Sequence, residues 1–134
     1  MGKTKNILFI MCDQLRWDYL SCNGHPHLET PHIDGLAAKG VNFTRAFVQS
    51  PLCGPSRMSY LTGRYVHSHG ATWNGVPLSV GQRNIGDYLR PHGLRCALVG
   101  KTHMEADAEG MARLGVDKMT ELGVLTSEGG LEPG

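Results

Sequence analysis

The stretch Pro51-Leu52-Cys53-Gly54-Pro55-Ser56-Arg57 is the most informative part of the 134-residue chain. It places a cysteine just before a proline that suits the first turn of a helix, and an arginine one helical turn after the cysteine. Leu61-Thr62-Gly63 follows, and a glycine there is a natural helix end. We therefore predict a helix over residues 55–61, with Cys53 at its start.

Two kinds of chemistry suit a cysteine in this place. A helix start offers backbone N–H groups and the positive end of the dipole, which would make Cys53 a reactive thiol. Arg57 keeps its charge and can stabilise an anion through directed donors. Cysteine phosphatases need a longer spacer between cysteine and arginine than the three residues found here, so that class is excluded. A purely structural cysteine ahead of a helix remains the alternative.

The apolar pattern predicts an α/β architecture with a largely parallel sheet, because strands and helices alternate along the chain. The predicted strands are 6–12, 41–48 and 95–99, and the further predicted helices are 31–39, 84–90 and 106–114. Residues 64–82 are rich in Gly, His, Ser, Pro and Asn and are predicted to form a long loop, which is often functional. Residues 127–134 lack periodicity and are predicted to be a loop or a cut end.

Three polar clusters follow predicted strands, where ligands gather in parallel sheets. They are Asp13-Gln14, Cys53 to Arg57, and Lys101 to His103. Asp13 and Gln14 offer adjacent hard oxygen donors, which suit Ca²⁺, Mg²⁺ or Mn²⁺. Taken alone, an aspartate after a strand also fits a cap or turn residue.

Composition argues against two classes of partner. With 40% hydrophobic residues and a net charge of +1, the chain gives no electrostatic case for nucleic acid or a membrane surface. No apolar run approaches the roughly 20 residues of a membrane span. The short run 7–11 is interpreted as a strand and not as a secretion signal. The four cysteines are expected to be free thiols in a reducing compartment, which, without a secretion signal, favours a cytoplasmic location. Cys12 and Cys96 lie in apolar runs and are expected to be buried.

Three segments together resemble the sulfatase family of the alkaline-phosphatase-like superfamily. They are Asp13-Gln14-Leu15-Arg16 with Asp18, Cys53 to Gly63, and Gly100-Lys101-Thr102-His103, in matching order and spacing. The resemblance spans about residues 6–115. Tyr60 departs from the signature, which usually has an aliphatic residue, Phe or Trp there. The resemblance implies that 1–134 is the N-terminal part of a sulfatase catalytic domain, an incomplete portion of a three-layer fold with a mostly parallel sheet.

The resemblance also implies a mechanism and a set of roles. Cys53 would be oxidised by the formylglycine-generating enzyme to formylglycine, whose hydrate attacks a small-molecule sulfate, phosphonate or phosphate ester. Arg57 would stabilise the metal-bound diol, and Lys101 and His103 would be catalytic and contact ester oxygens. The implied metal ligands are Asp13, Gln14 and the oxygen of modified Cys53, with Ca²⁺ as the implied metal and Mg²⁺ or Mn²⁺ as alternatives.

Two branches of this superfamily compete. Gln14 and the Trp73-Asn74 loop resemble phosphonate monoester hydrolases and phosphodiesterases, whereas Lys101-Thr102-His103 keeps the Lys-x-His of sulfatases. We favour a sulfatase. Asn74 is a candidate substrate-binding residue, with a turn residue before Gly75 as the equal alternative.

Other features limit these expectations. The pairs His25/His27 and His67/His69 lack a matched second pair at zinc-finger spacing, and His67 and His69 are expected to line or flank the active-site loop. The Asp-Asn or Asp-His pair that normally completes the family's metal site does not occur in this sequence. We therefore expect the isolated chain to be inactive. A non-catalytic remnant, acting as an interaction module, stays open, as does a homo-oligomer.

Overall fold

The computed structural model describes residues 6–105 and 107–115, so the predicted loop or cut end at 127–134 lies outside the described residues. The chain divides into two compact units, Met1–Phe47 and Val48–Gly134. The α-helices are Pro31–Lys39 (α1), Cys53–Thr62 (α2), Val66–His69 (α3), Ile85–Leu89 (α4) and Ala108–Leu114 (α5). Single 3-10 turns cover Trp17–Tyr19, Ser21–Asn23 and Arg90–His92.

A carboxylate on α1 organises the first unit. Ser21 Oγ donates to Asp34 Oδ2 over 2.6 Å, and Asp34 Oδ1 accepts from Thr30 Oγ1 over 2.8 Å and from the Cys22 amide over 3.0 Å. The bond from Ser21 is the largest cause that lowers the pKa of Asp34 below its ordinary value. Thr30 stands at the N-cap position of α1, but its hydroxyl binds this carboxylate and makes no cap bond. Asp34 thereby ties the 3-10 turn Ser21–Asn23 to α1.

The second unit is built around α2. Its buried apolar residues are Met58, Leu61, Ala71 and Met104, with Tyr60, Leu78 and Leu98 packed against them. The Thr62 hydroxyl turns back to donate to the Met58 carbonyl over 2.7 Å. Because seven of the ten residues of α2 are buried, this helix is a fixed support for the groups at its N-terminal end.

Helix boundaries follow the local sequence signals closely. α2 starts at Cys53, two residues before the predicted start, because Pro55 needs no N–H partner within a first turn. It ends as predicted at Gly63, whose φ of 68° is the left-handed conformation that glycine tolerates. α4 begins with a reciprocal capping box between Asn84 and Asp87. The predicted loop 64–82 is wrong in one respect, since it contains α3.

The predicted sheet is not confirmed, because no strand is formed within 6–105 and 107–115. Among the described residues, no β-ladder joins the runs 6–12, 41–48 and 95–99, and most of their apolar side chains are exposed, although Leu98 packs against the core. Leu8 is 84% exposed, Phe47 85% and Val99 93%. A strand of a parallel sheet needs a neighbouring strand and covering layers on both faces, and neither is present around these runs.

Two further expectations concern the surface of the molecule. All four cysteines are free, as expected. The expected burial of Cys12 and Cys96 is wrong, because each lies in an uncovered run and is exposed. Of the helices in the described ranges, none has the length and apolar character required to cross a bilayer.

Candidate active site

Cys53 is the first residue of α2, with Leu52 in extended conformation before it. The backbone donors of this helix start are already largely committed. The Gly54 amide donates to Asn74 Oδ1 over 2.8 Å, and the Ser56 amide donates to the Leu52 carbonyl over 3.1 Å. Pro55 has no N–H. Recognition of an anion at this end of α2 therefore depends on side chains more than on the helix terminus.

A cationic side chain lies beside the sulfur. Lys101 Nζ lies 3.7 Å from Cys53 Sγ, although 48 positions separate the two residues along the chain. The ammonium group carries three donors, so it can neutralise charge on an oxygen placed at or next to this sulfur position. The arrangement joins two of the three sequence clusters, the cysteine string and Lys101 to His103.

Arg57 supports this pairing from within the helix. It lies one turn after Cys53 on the same side of α2, and it is 5% exposed. Its Nη1 donates to the backbone carbonyl of Lys101 over 2.5 Å. The guanidinium therefore fixes the main chain that carries the lysine, and it also places a permanent positive charge beneath the cysteine.

Gly54 is required by close packing and not by a turn. A Cβ atom at this position would lie 2.9 Å from Asn74 Oδ1 and 3.6 Å from the His103 carbonyl oxygen. Because an amide N–H can only donate, the Asn74 atom facing Gly54 is the carboxamide oxygen. The Asn74 amino group is thus left as the donor that this side chain can offer elsewhere. Three predicted site residues, Cys53, Asn74 and His103, meet around one glycine.

Backbone conformation singles out two of the predicted site residues. Among the described non-glycine residues, only Gln14 and His103 have positive φ, at 58° and 52°. Such conformations cost free energy and persist where the surroundings enforce them, which is common at functional sites. His103 Nδ1 is also buried without a hydrogen-bond partner among the described residues. A buried donor or acceptor of this kind is available to a ligand.

The predicted metal ligands Asp13 and Gln14 lie in the first unit, at an exposed turn. A carboxylate and an amide oxygen are suitable donors for a hard divalent cation. Within 6–105 and 107–115, however, no group of three or more His, Cys, Asp or Glu side chains is arranged to hold a metal. The two residues fit part of a cation site, and the remaining ligands are not identified by these contacts.

The histidine pairs have local structural roles. His25 Nδ1 accepts from the amides of His27 and Leu28, over 3.1 and 2.8 Å, which closes a turn. The His67 ring stacks on Tyr65 with 5.7 Å between the centroids. His69 is different, because it is 3% exposed and contacts Ser59 on α2. The sequence predicted only that His69 lines or flanks the active-site loop. Nothing in the spacing between His69 and α2 indicates the contact with Ser59.

Comparison with known proteins identifies the relatives of this chain. The family described as Sulfatase matches residues 5–127. The chain is 32% identical over 108 residues to an N-acetylglucosamine-6-O-sulfatase of Bacteroides thetaiotaomicron, which covers 81% of this chain and 19% of the relative. It is 38% identical over 108 residues to the multifunctional alkaline phosphatase superfamily protein PehA of Trinickia caryophylli, covering 77% and 21%.

A solved structure gives the same grouping. The chain is similar to a Bacteroides fragilis protein described as a sulfatase, YidJ, with a TM-score of 0.71 and 36% sequence identity. The alignment covers 79% of this chain and 25% of that one. The chain spans about a fifth of the length of the curated relatives it matches.

Proposed function

Because the chain belongs to the sulfatase family, we propose that it carries the nucleophile of a sulfuric ester hydrolase, with Cys53 converted to formylglycine by the formylglycine-generating enzyme. The observation that supports this most strongly is the 3.7 Å approach of Lys101 Nζ to Cys53 Sγ. A nucleophile that attacks a sulfate ester needs a positive charge beside it, since negative charge accumulates on the ester oxygens.

We assign a separate role to each side chain around Cys53. Formylglycine would supply a hydrated aldehyde, one hydroxyl of which attacks the ester. Lys101 neutralises charge on an oxygen at the attacked centre, and Arg57 holds the Lys101 main chain in place through its bond to the carbonyl. His103 has a buried Nδ1 with bonding capacity to spare, and we assign it to an ester or leaving-group oxygen.

Asp13 and Gln14 are proposed as two oxygen ligands of a divalent cation, with Ca²⁺ preferred and Mg²⁺ or Mn²⁺ as alternatives. Two features support this: the oxygen atoms of both side chains suit a hard cation, and Gln14 has a positive φ. A positive φ is unfavourable for a non-glycine residue and persists only where the surrounding structure enforces it. When bound, the cation would lower the pKa of the attacking hydroxyl.

A phosphonate monoester or phosphodiester hydrolase is the second candidate. Two observations support it: the 38% identity to PehA, which is described as a multifunctional protein of the alkaline phosphatase superfamily, and the bond that orients Asn74, whose amino group can donate to an ester oxygen. Because residues 1–134 alone are expected to be inactive, the experiment extends this chain with the downstream metal-ligand segment of a sulfatase-family relative and co-expresses it with the formylglycine-generating enzyme. Turnover of an aryl sulfate is then compared with turnover of an aryl phosphonate monoester. Faster sulfate turnover supports the first candidate, and faster phosphonate turnover supports the second.

Variants make that assay specific for the proposed residues. Lys101→Ala should lower turnover of the preferred ester by roughly 10²-fold, as expected for loss of a group that stabilises transition-state charge. Arg64→Ala is the matched control, because Arg64 is an exposed cation that bonds Gln82 and is not part of the cluster. Undiminished turnover in Cys53→Ala would exclude the proposed nucleophile.

A further inference from the structure

Among the described residues of the second unit, His69 is the most deeply buried titratable side chain that the proposed chemistry does not use. It ends α3, and only 3% of the residue is exposed. Its Nε2 lies 2.9 Å from Ser59 Oγ on α2, and its Nδ1 lies 3.1 Å from the Ala71 amide nitrogen. One ring therefore contacts both the nucleophile helix and the segment that follows α3.

The two contacts define the tautomer of the ring. A backbone N–H can only donate, so Nδ1 accepts from Ala71 and carries no proton in this arrangement. In the neutral ring the proton then sits on Nε2, which donates to Ser59 Oγ. Burial lowers the pKa of His69, which favours this neutral form. His69 is thus a rigid bridge with one donor and one acceptor.

The segment beyond Ala71 returns to α2 at a second point. Ala71 is 1% exposed, and a turn closed by the bond from the Val76 amide to the Trp73 carbonyl follows it. Gly75 has a φ of 85°, the left-handed conformation that the third position of a type II turn requires. This turn presents Asn74 Oδ1 to the Gly54 amide.

The segment 69–74 is therefore attached to α2 at two places, Ser59 and Gly54. Gly54 and Ser59 are five positions apart in the helix, which is about 7.5 Å along the axis. Two attachments at this separation set the register of the segment against the helix, whereas one attachment alone would leave it free to pivot. The attachment at Gly54 lies next to Cys53.

We propose that His69 is a positioning residue, which fixes the Asn74 turn against the start of α2 by bridging Ser59 and Ala71. The inference rests on the proposed function in one respect: Cys53 and Asn74 are the site residues that His69 positions. His69 itself contacts no proposed reacting group, so its effect is transmitted through the bond between Gly54 and Asn74.

Amide hydrogen exchange of the full chain tests this without any turnover assay. The reporter is the Gly54 amide, and the internal control is the Gly63 amide, which bonds to the Ser59 carbonyl at the other end of the same helix. In His69→Asn, the shorter side chain keeps an acceptor near the Nδ1 position but cannot reach Ser59. We expect Gly54 to exchange about fivefold to tenfold faster, as for the loss of one hydrogen bond, while Gly63 is unchanged.

A second variant isolates the bond itself. Ser59→Ala removes the hydroxyl that faces His69 and keeps the backbone carbonyl that caps the helix end. It should accelerate Gly54 exchange to the same extent, and the double variant should show no additional effect, because both changes remove one shared bond. Equal acceleration at Gly54 and Gly63 would reduce His69 to a general stabilising role and overturn the proposal. Unchanged Gly54 exchange in both single variants would overturn it as well.

Discussion

Arg57 donates from Nη1 to the backbone carbonyl of Lys101 over 2.5 Å, although 44 positions separate the two residues in the chain. The bond joins the nucleophile helix to the segment that supplies the candidate catalytic lysine. Arg57→Lys keeps the charge but loses the planar set of donors that reaches this carbonyl. We expect the free energy of unfolding to fall by about 2 kcal/mol, the scale of a buried hydrogen bond from a charged group.

Urea unfolding followed by circular dichroism measures this change. Arg64→Lys is the matched control, because Arg64 is exposed and its guanidinium bonds the Gln82 side chain. An exposed substitution of this kind should change stability by no more than about 0.5 kcal/mol. If the two substitutions lowered the free energy of unfolding equally, the bond from Arg57 to the Lys101 carbonyl would contribute no more to stability than an exposed contact.

Gly54 tests the packing around the candidate site. A methyl group there would lie 2.9 Å from Asn74 Oδ1, so Gly54→Ala must displace Asn74 and weaken its bond to the Gly54 amide. We expect a loss of about 1–3 kcal/mol in the free energy of unfolding, typical of overpacking. Gly35→Ala is the control, because Gly35 lies within α1 with nothing within 4 Å of the added atom.

The control should move in the opposite direction. Alanine is a better helix former than glycine, so Gly35→Ala should leave stability unchanged or raise it by up to about 1 kcal/mol. The same urea titration measures both variants. If Gly54→Ala matched the control, the close approach of Asn74 and His103 to this glycine would be incorrect.

Because His69 is buried, we predict that the free energy of unfolding depends on pH. Burial lowers the pKa of His69 in the folded chain below the ordinary value of 6.5. As pH falls, the unfolded chain therefore takes up a proton first. The contribution of His69 is fully present above about pH 6.5 and is lost as pH falls through the folded pKa.

A comparison of the parent chain with His69→Asn separates the titration of His69 from that of the other six histidines. Urea unfolding of the parent chain and of His69→Asn between pH 7.5 and 5 should give a steeper loss of stability for the parent chain, since asparagine does not titrate. Parallel profiles would show that His69 titrates alike in the folded and unfolded chains. This range extends from about 1 unit above to about 1.5 units below the ordinary histidine pKa.

Local signals in the sequence predicted the helices well. The ends of α2 and α4 follow from Pro55, Gly63 and the Asn84 cap, since proline, glycine and capping side chains act within one turn. The predicted strands are not confirmed among the described residues, because strand formation depends on pairing partners that can lie far along the chain. The apolar runs that predicted them are present in the sequence, but they are uncovered in the structure.

The residues of the candidate site could be predicted from the sequence, but their positions relative to one another could not. The cysteine string and Lys101 to His103 were identified from residue types and spacing, and the structure brings Cys53, Arg57 and Lys101 together. The positive φ of His103 and the bridge made by His69 depend on tertiary contacts. No spacing rule relates such residues, so sequence reasoning alone missed them.

The central claim is that Cys53 is a precursor of formylglycine and not a working thiol. Mass spectrometry of the Cys53 peptide, after co-expression with the formylglycine-generating enzyme, tests it most directly. Cys96 is the internal control, because it is a more exposed thiol outside the Cys-x-Pro-x-Arg string. We expect an aldehyde at Cys53 and an intact thiol at Cys96. An intact thiol at Cys53, in cells where an established substrate of the same enzyme is converted, would contradict it.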